Sequence, residues 1–129
     1  MKSSGILHGE MSKVVALLGH GDTIVISDCG LPVPPNVQLI DLAVTTGVPD
    51  FLIVLKAVTQ ELHVEACTVA EELETNPTLL EKISSLIKLE PEKITHERFK
   101  EETQRATAII RTGEFTPYSN VILTAGVPF

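Results

Sequence analysis

Aromatic residues are scarce in this 129-residue sequence, which has no tryptophan, four phenylalanines and a single tyrosine, Tyr118. The position of that tyrosine is therefore informative, since few other rings are available to contact a ligand. The hydrophobic fraction is nonetheless 43%, which is ordinary for a globular protein. A chain of this length can bury a core without disulfides or a structural metal.

Positive charge is also scarce, with 10 basic against 17 acidic residues and a formal net charge of −7. Nucleic acids and anionic membrane surfaces bind basic patches, so neither is an expected partner. No apolar run reaches the length of a bilayer span, and we expect a soluble protein.

Cysteine occurs only at Cys29 and Cys67, which do not form the C-x-x-C spacing of metal or redox sites. No signal peptide is recognisable at the amino terminus, so we expect reduced thiols in a cytoplasmic protein. A phosphate-binding loop is missing as well. The Gly19-x-Gly21 pair follows a predicted helix rather than a strand, which excludes a dinucleotide-binding fingerprint.

Helix and strand patterns alternate along the chain. Apolar residues at i, i+3, i+4 and i+7 predict a first helix over Met11–Leu18 with Gly19 as its C-cap. Further helices are predicted over Phe51–Leu62, Pro77–Ile87 and 96–105, with Asp50, Asn76 and Thr95 as N-caps, and strands over Thr23–Ser27, Val37–Thr45, Val64–Ala70, Thr107–Arg111 and Val121–Ala125. This order predicts one α/β domain, residues 1–129, with a central mixed or mostly parallel sheet flanked by helices.

Two polar residues flank the predicted strand Thr23–Ser27. Asp28 follows its carboxyl end, the place where ligands gather in open α/β sheets. His20 precedes the strand in a glycine-flanked loop, which leaves an imidazole accessible. Because histidine can give and take a proton near neutral pH, His20 and Asp28 are candidates for acid–base chemistry. The alternative is an ordinary loop histidine beside a capping aspartate.

Two further clusters are polar. His96 lies in the first turn of a predicted helix, where the helix dipole favours a neutral imidazole that donates from one nitrogen and accepts at the other. The second cluster combines a phenol, a hydroxyl and an amide in one turn, namely Tyr118, Ser119 and Asn120. Such uncharged groups suit a polyhydroxylated ligand. A solvated helix-start histidine and ordinary turn chemistry are the alternatives.

A metal site is the weaker interpretation of His63 and Glu65. Both would point to the same side of a strand, and His20 and Asp22 are the further candidate ligands. Their spacing matches no standard zinc pattern, so we expect a solvent-facing ion pair and no metal.

Together these segments resemble the D-ribose pyranase family, which shares its fold with the fucose mutarotases. The resemblance covers nearly the whole chain, and it is specific because the segments occur together, in order and at the right spacing. The segments that carry it are Leu18–Asp22, Ser27–Pro34, Thr95–Lys100, Ile110–Asn120 and Ala125–Phe129. The proline-rich loop after Asp28 and the Pro-Tyr-Ser-Asn segment are closer to the ribose branch.

The resemblance implies an isomerase of ribose catabolism that interconverts the pyranose and furanose forms of D-ribose without a cofactor. It also implies pentameric rings stacked in pairs as decamers, with sites near subunit boundaries. The family's catalytic histidine corresponds to His20. Its sugar-contacting residues correspond to Asp28, His96 and the segment Tyr118, Ser119 and Asn120.

Two positions depart from the family pattern. His8 stands where relatives carry Asn, and Gly21 stands where Thr is common. They leave the fine specificity open. A fucose mutarotase would change the sugar but not the chemistry. A non-enzymatic sugar-binding accessory of ribose transport would explain the hydrogen-bonding loops but would not need a titrating histidine.

Ring interconversion passes through the open-chain aldehyde. One group removes the proton of the anomeric hydroxyl, another protonates the ring oxygen as the C–O bond breaks, and a different hydroxyl then closes onto the carbonyl. We expect His20 to be the principal proton donor and His96 a second proton carrier or hydroxyl ligand. Asp28 should hold the sugar and orient His20. Tyr118 and Asn120 should fix the sugar.

Overall fold

The computed structural model describes residues 1–129. Its helices are α1 (Gly9–Leu17), α2 (Phe51–Thr59), α3 (Pro77–Ile87) and α4 (His96–Glu102), with two 3₁₀ turns at Glu71–Thr75 and Thr103–Arg105. The strands are β1 (Thr23–Ser27), β2 (Gln38–Asp41), β3 (Val64–Ala70), β4 (Glu92–Ile94), β5 (Ala108–Arg111) and β6 (Val121–Ala125). None of the helices combines the length and the apolar character needed to cross a bilayer.

The six strands form one sheet in the order β2-β5-β1-β6-β3-β4. β1 pairs parallel with β5, β5 with β2, and β3 with β4. β6 lies between β1 and β3 and is antiparallel to both. Five strands therefore run in one direction and β6 runs against them, which confirms the mostly parallel sheet.

Helices cover both faces of this sheet because its central strands alternate apolar residues on the two sides. Ile24 and Ile26 of β1 point into the larger core, where they pack with α1, α2 and α3. Val25 points to the opposite face and packs in a smaller core with Phe99 of α4 and the loop residue Leu31. The layered α/β architecture follows directly from this two-sided burial.

Three predicted N-caps are confirmed. The side chain of Asp50 accepts the main-chain N–H of Ile53 at 2.8 Å, and Asn76 caps α3 in the same way. Thr95 caps α4 through a bond from Arg98 N–H. Each side-chain oxygen satisfies one of the orphan amides at a helix start, which is why these residue types mark helix boundaries.

Other boundaries differ from the expectation. α1 is capped at its carboxyl end by Leu18 in an extended conformation, and not by Gly19. The strand expected over Val37–Thr45 is shorter, because the chain turns back after β2 and Thr45 pairs with Val48. β4 was not predicted, since only one of its three residues, Ile94, is buried and so no alternation is visible.

Candidate functional site

A cavity of about 400 Å³ opens at the carboxyl edge of the sheet. Its walls come from the segments after β1, β4 and β5 and from the loop before β6, whose antiparallel direction brings its start to the same edge. The lining residues are Asp28, Cys29, Gly30, Leu31, His96, Glu114, Phe115, Pro117 and Tyr118. The structure therefore brings together three of the predicted site residues, Asp28, His96 and Tyr118.

Asp28 is held in place by Asn120. The main-chain N–H of Asp28 donates to Asn120 Oδ1 at 2.9 Å, and Asn120 Nδ2 donates to Asp28 Oδ2 at 3.2 Å. The other carboxylate oxygen, Oδ1, accepts the Gly30 N–H at 3.0 Å. Asn120 is fully buried and does not line the cavity. Its side chain therefore orients the Asp28 carboxylate from behind.

His96 is fixed by its backbone and by its neighbours. Its main-chain N–H donates to both carboxylate oxygens of Glu72, at 2.8 and 3.2 Å. Its ring meets the Tyr118 ring edge-on with centroids 5.1 Å apart and stacks on Phe99 at 6.4 Å. His96 Nδ1 is buried without a hydrogen-bond partner. A buried polar atom without a partner is unfavourable, and a catalytic or binding role is one of the explanations for it.

Tyr118 adopts the left-handed conformation, with φ of +64°. A side chain other than glycine rarely does so, and the strain costs about 1–3 kcal/mol. The turn compensates through two bonds of 2.8 Å, one from Ser119 Oγ to the Thr116 carbonyl and one from Asn120 N–H to the Tyr118 carbonyl. Ser119 is fully buried. Its hydroxyl thus closes the turn that presents Tyr118, and it does not line the cavity.

Glu114 is a site residue that sequence reasoning missed. One carboxylate oxygen accepts the Phe51 N–H at the start of α2, at 3.2 Å. The other accepts the Thr116 hydroxyl at 3.0 Å and its N–H at 3.3 Å. Glu114 therefore ties the loop that carries Tyr118 to α2. Its partner in α2 is 63 residues away, so no local pattern could have indicated the role.

His20 lies at the opposite edge of the sheet, because it precedes β1 whereas Asp28 follows it. The four steps of β1 alone separate the two by roughly 13 Å. The ring is exposed, and its Nε2 lies 2.9 Å from Oε2 of Glu65. The expected contact between Asp28 and His20 is therefore not made within one chain. The carboxylate that contacts His20 is that of Glu65.

Backbone contacts hold the His20 loop. The Asp22 carboxylate accepts the Gly19 N–H at 2.8 Å, and the Gly21 N–H donates to the Ala125 carbonyl at 2.8 Å. Gly21 has φ of +88°, where a threonine would be strained. The other departure from the family pattern, His8, caps α1 through Nδ1, which accepts the Met11 N–H. A histidine here performs the capping that an asparagine would.

A second cavity, of about 430 Å³, opens at the amino edge beside α4. Its lining residues are Gly21, Asp22, Thr23, Thr68, Glu92, Ile94, Arg98, Glu102, Arg105, Ile122 and Thr124. None of these is a histidine, cysteine or tyrosine, so it lacks groups that titrate near neutral pH. The carboxyl-edge cavity, with its histidine and tyrosine, is the candidate active site.

Three side chains have clearly shifted acidities. In one of them, the exposed Glu97, a hydrogen bond from Lys100 lowers the pKa. Arg111 donates to Asp41 at 3.0 Å where β2 and β5 end, and this bond lowers the pKa of Asp41. Burial raises the pKa of the Cys67 thiol to about 11. Cys67 is a core residue, whereas Cys29 is half-buried and lines the carboxyl-edge cavity. The two thiols therefore differ in their access to solvent and to the cavity.

Comparison with known proteins places this geometry in context. A sequence model of the RbsD / FucU transport protein family matches residues 1–128. The chain belongs to this family. It is 53% identical to the D-ribose pyranase of Bacillus cereus over 131 aligned positions, which span all of both proteins.

Solved structures show the same relationship. RbsD of Bacillus subtilis, complexed with D-ribose, is 45% identical and superposes with a TM-score of 0.95 over all of both chains. FucU of Bifidobacterium longum is 24% identical, with a TM-score of 0.82 over 95% of this chain and 97% of that one. At that identity FucU supports only the fold. Within the RbsD / FucU family the chain is therefore more similar to the RbsD structure than to the FucU structure.

Proposed function

We propose that the single domain of residues 1–129 is a D-ribose pyranase, an isomerase that interconverts the pyranose and furanose forms of D-ribose. The observation that carries the proposal is the convergence of Asp28, His96 and Tyr118 in one carboxyl-edge cavity. Full-length identity of 53% to a D-ribose pyranase supports the choice of sugar. An L-fucose substrate has less support, because the FucU relative is similar in fold but not closely in sequence.

The charge of the cavity suits a free sugar. Its walls contain two carboxylates, Asp28 and Glu114, and no lysine or arginine. A phosphorylated sugar would be repelled by these acids and would find no cation to bind. Neutral hydroxyls can instead donate to Asp28 and accept from the phenol of Tyr118. Leu31 and Phe115 supply apolar surface for the faces of the sugar ring.

Acid–base chemistry is sufficient for the reaction. His20 and His96 exchange protons with the anomeric hydroxyl and the ring oxygen as the ring C–O bond breaks to give the open-chain aldehyde. Closure by a different hydroxyl reverses these transfers, so protons and atoms balance without a redox step. Asp28 and Tyr118 hold the sugar hydroxyls. Asn120 contributes by orienting Asp28, and Ser119 by closing the turn that presents Tyr118.

His20 reaches such a cavity only from a neighbouring subunit. Because His20 and Asp28 lie at opposite edges, a contact that joins them pairs two different surfaces, and repetition of such a contact generates a ring when its rotation closes. Exposed apolar side chains at or near the carboxyl edge, including Val44, Val48 and Phe115, would be covered in that contact. We propose pentameric rings stacked in pairs as decamers, the assembly that the family resemblance implies, with the site at each boundary.

A complementation experiment tests the shared site. His20→Ala and Asp28→Asn should each be inactive alone. When the two chains are co-expressed, a site recovers activity if the Asp28→Asn chain supplies its His20 and the His20→Ala chain supplies its cavity. Random mixing makes about one quarter of the sites intact. No recovery in verified mixed rings would contradict the shared site, and a 14 kDa monomer in light scattering would contradict the ring.

NMR exchange spectroscopy tests the activity itself. Addition of the protein should accelerate magnetisation transfer between the pyranose and furanose signals of ribose. His20→Ala should abolish the acceleration while most ribose affinity remains, since the cavity's own hydrogen bonds are intact. Faster anomer exchange of fucose with no effect on ribose would move the assignment to a fucose mutarotase. Ribose binding without any acceleration would favour a sugar-binding accessory.

We also propose a cytoplasmic location, within ribose catabolism. The support is the presence of two free thiols, Cys29 and Cys67, which persist in reducing compartments. Fractionation of cells that express the tagged protein would test the location.

A further inference from the structure

The geometry points to Glu65 as the positioning residue of His20: its carboxylate holds the imidazole by Nε2 and leaves Nδ1 as the atom that exchanges protons with the sugar. This inference rests on the proposed function, because it assigns a role to His20 in the same reaction. It identifies the working nitrogen and a second residue at the amino edge on which the rate depends.

The assignment of the two nitrogens follows from the partner. A carboxylate only accepts hydrogen bonds, so the nitrogen that faces Glu65 Oε2 at 2.9 Å must carry a proton. In the neutral ring Nδ1 then has the free lone pair and can take the anomeric proton. In the protonated ring Nδ1–H can donate to the ring oxygen. Nδ1 is therefore the working atom in both protonation states of His20.

The ring needs such a partner because it is otherwise free. The side chain of His20 is 59% exposed, and its one hydrogen bond is to Glu65. The backbone around it is already fixed, since Asp22 binds Gly19 N–H and Gly21 binds Ala125. Rotation of the imidazole is the remaining freedom, and Glu65 removes it. Such pre-orientation matters because a proton transfers only across a short, aligned contact.

Close packing keeps Glu65 in position. A Cβ built on Gly126 would lie 2.8 Å from the Cβ of Glu65 and 3.1 Å from its Oε2. The backbone of Gly126 is itself anchored by a bond from its N–H to the His63 carbonyl. Gly126 therefore packs closely against the Glu65 side chain. The pair is thus more restrained than two long side chains that meet by chance on a surface.

The kinetic test compares two glutamates of equal exposure. Glu65→Ala should lower kcat for ribose exchange about tenfold and leave KM within about twofold, because it disturbs a proton transfer and not a sugar contact. Glu65→Gln should recover most of the rate, since its amide oxygen still accepts from Nε2–H. The control is Glu102→Ala, which removes an ion pair with Arg105 from a side chain 39% exposed, against 40% for Glu65. It should leave the rate unchanged.

A double variant separates a role through His20 from a structural one. In the His20→Ala background, which is inactive but keeps most of its ribose affinity, Glu65→Ala should cause no further loss of ribose affinity or of stability in urea. An additional loss there, or an unchanged rate in Glu65→Ala alone, would overturn the proposal.

The tautomer of His20 gives a readout that does not need activity. Ring ¹⁵N spectra should show the neutral imidazole of the wild type with its proton on Nε2, and the signal is assigned by its disappearance in His20→Ala. Glu65→Ala should populate the other tautomer as well. A wild-type ring protonated on Nδ1 would refute the inference even if ribose exchange is fast. A Nε2–H ring in a protein without exchange activity would refute the proposed function only.

Discussion

The paired contacts between Asn120 and Asp28 make a strong prediction for Asn120→Asp. In the wild type, Asn120 Nδ2 donates to Asp28 Oδ2 at 3.2 Å, while Asn120 Oδ1 accepts the Asp28 N–H. Aspartate has nearly the same shape, so the buried site is not repacked. The change replaces the donor with a carboxylate oxygen that faces another carboxylate oxygen. An attractive contact becomes a repulsive one.

The size of the effect follows from the distance. Two unit charges 3.2 Å apart repel by about 5 kcal/mol at an effective dielectric constant of 20, and by about 1 kcal/mol in bulk water. Loss of the amide–carboxylate bond adds about 1.5–3 kcal/mol. The pair can relieve this repulsion by binding one proton, because an O–H restores the missing donor. We therefore expect Asn120→Asp to lose more than about tenfold in rate at pH 8 and to recover as the pH falls.

The test is the rate of ribose exchange, measured by NMR from pH 8 to pH 5. At each pH the rate of the variant is divided by that of the wild type, and the ratio for Asn120→Asp should rise as the pH falls. Asn120→Ala is the control, since it removes both bonds without adding a charge, and its ratio should not change with pH. Urea denaturation should show the same contrast, with Asn120→Asp gaining stability towards low pH. A ratio for Asn120→Asp that is constant with pH, or equal to one throughout, would refute the reasoning.

Three further outcomes are expected. Iodoacetamide at pH 8 should alkylate Cys29, which lines the cavity, and should spare Cys67, whose pKa is about 11. Bound ribose should slow the alkylation of Cys29, as measured by mass spectrometry. Protection of both thiols in the absence of ribose would contradict the placement of Cys29 in an open cavity. Gly113→Ala should lower the free energy of unfolding, measured in urea, by more than about 2 kcal/mol, because its Cβ would lie 2.6 Å from two carbonyl oxygens. The control is Gly9→Ala, whose Cβ would meet nothing within 4 Å and which should be neutral or stabilising. Asp41→Asn should cost less than about 1 kcal/mol at pH 7. Because the folded-state pKa of Asp41 is lowered, that cost should begin to shrink as the pH falls below 3.8 and should vanish once the pH is below the folded-state pKa. A cost that does not decrease on acidification would exclude the ion pair as its cause.

Local patterns were sufficient to predict most of the fold. Asp50, Asn76 and Thr95 mark helix starts because a capping side chain reaches only its own first turn. β1 and β6 are short, buried, apolar runs, and their sequences alone predict strands. By contrast, β4 has only Ile94 buried and leaves no pattern to detect. Its pairing with β3 depends on tertiary structure alone.

The candidate site was predicted in part. Asp28 was expected at the carboxyl edge because it follows a parallel strand, and His96 and Tyr118 converge with it. The separation of His20 from Asp28 was already implicit in the sequence, since one precedes and the other follows the same five-residue strand. The Glu65 carboxylate was expected in an ion pair with His63 but pairs with His20, and Glu114 was not singled out at all. Each contacts a partner at least 45 residues away, and no spacing rule covers such pairs.

The place of β6 has a consequence for how the chain is made. β6 is the last strand in sequence order, yet it joins β2-β5-β1 on one side to β3-β4 on the other. A ribosome that has released only residues 1–120 therefore exposes two half-sheets, each with an unpaired edge facing the gap. Those edges are hydrogen-bonding templates for other nascent chains until β6 inserts. The protein is thus most prone to aggregation before β6 has inserted between the two half-sheets.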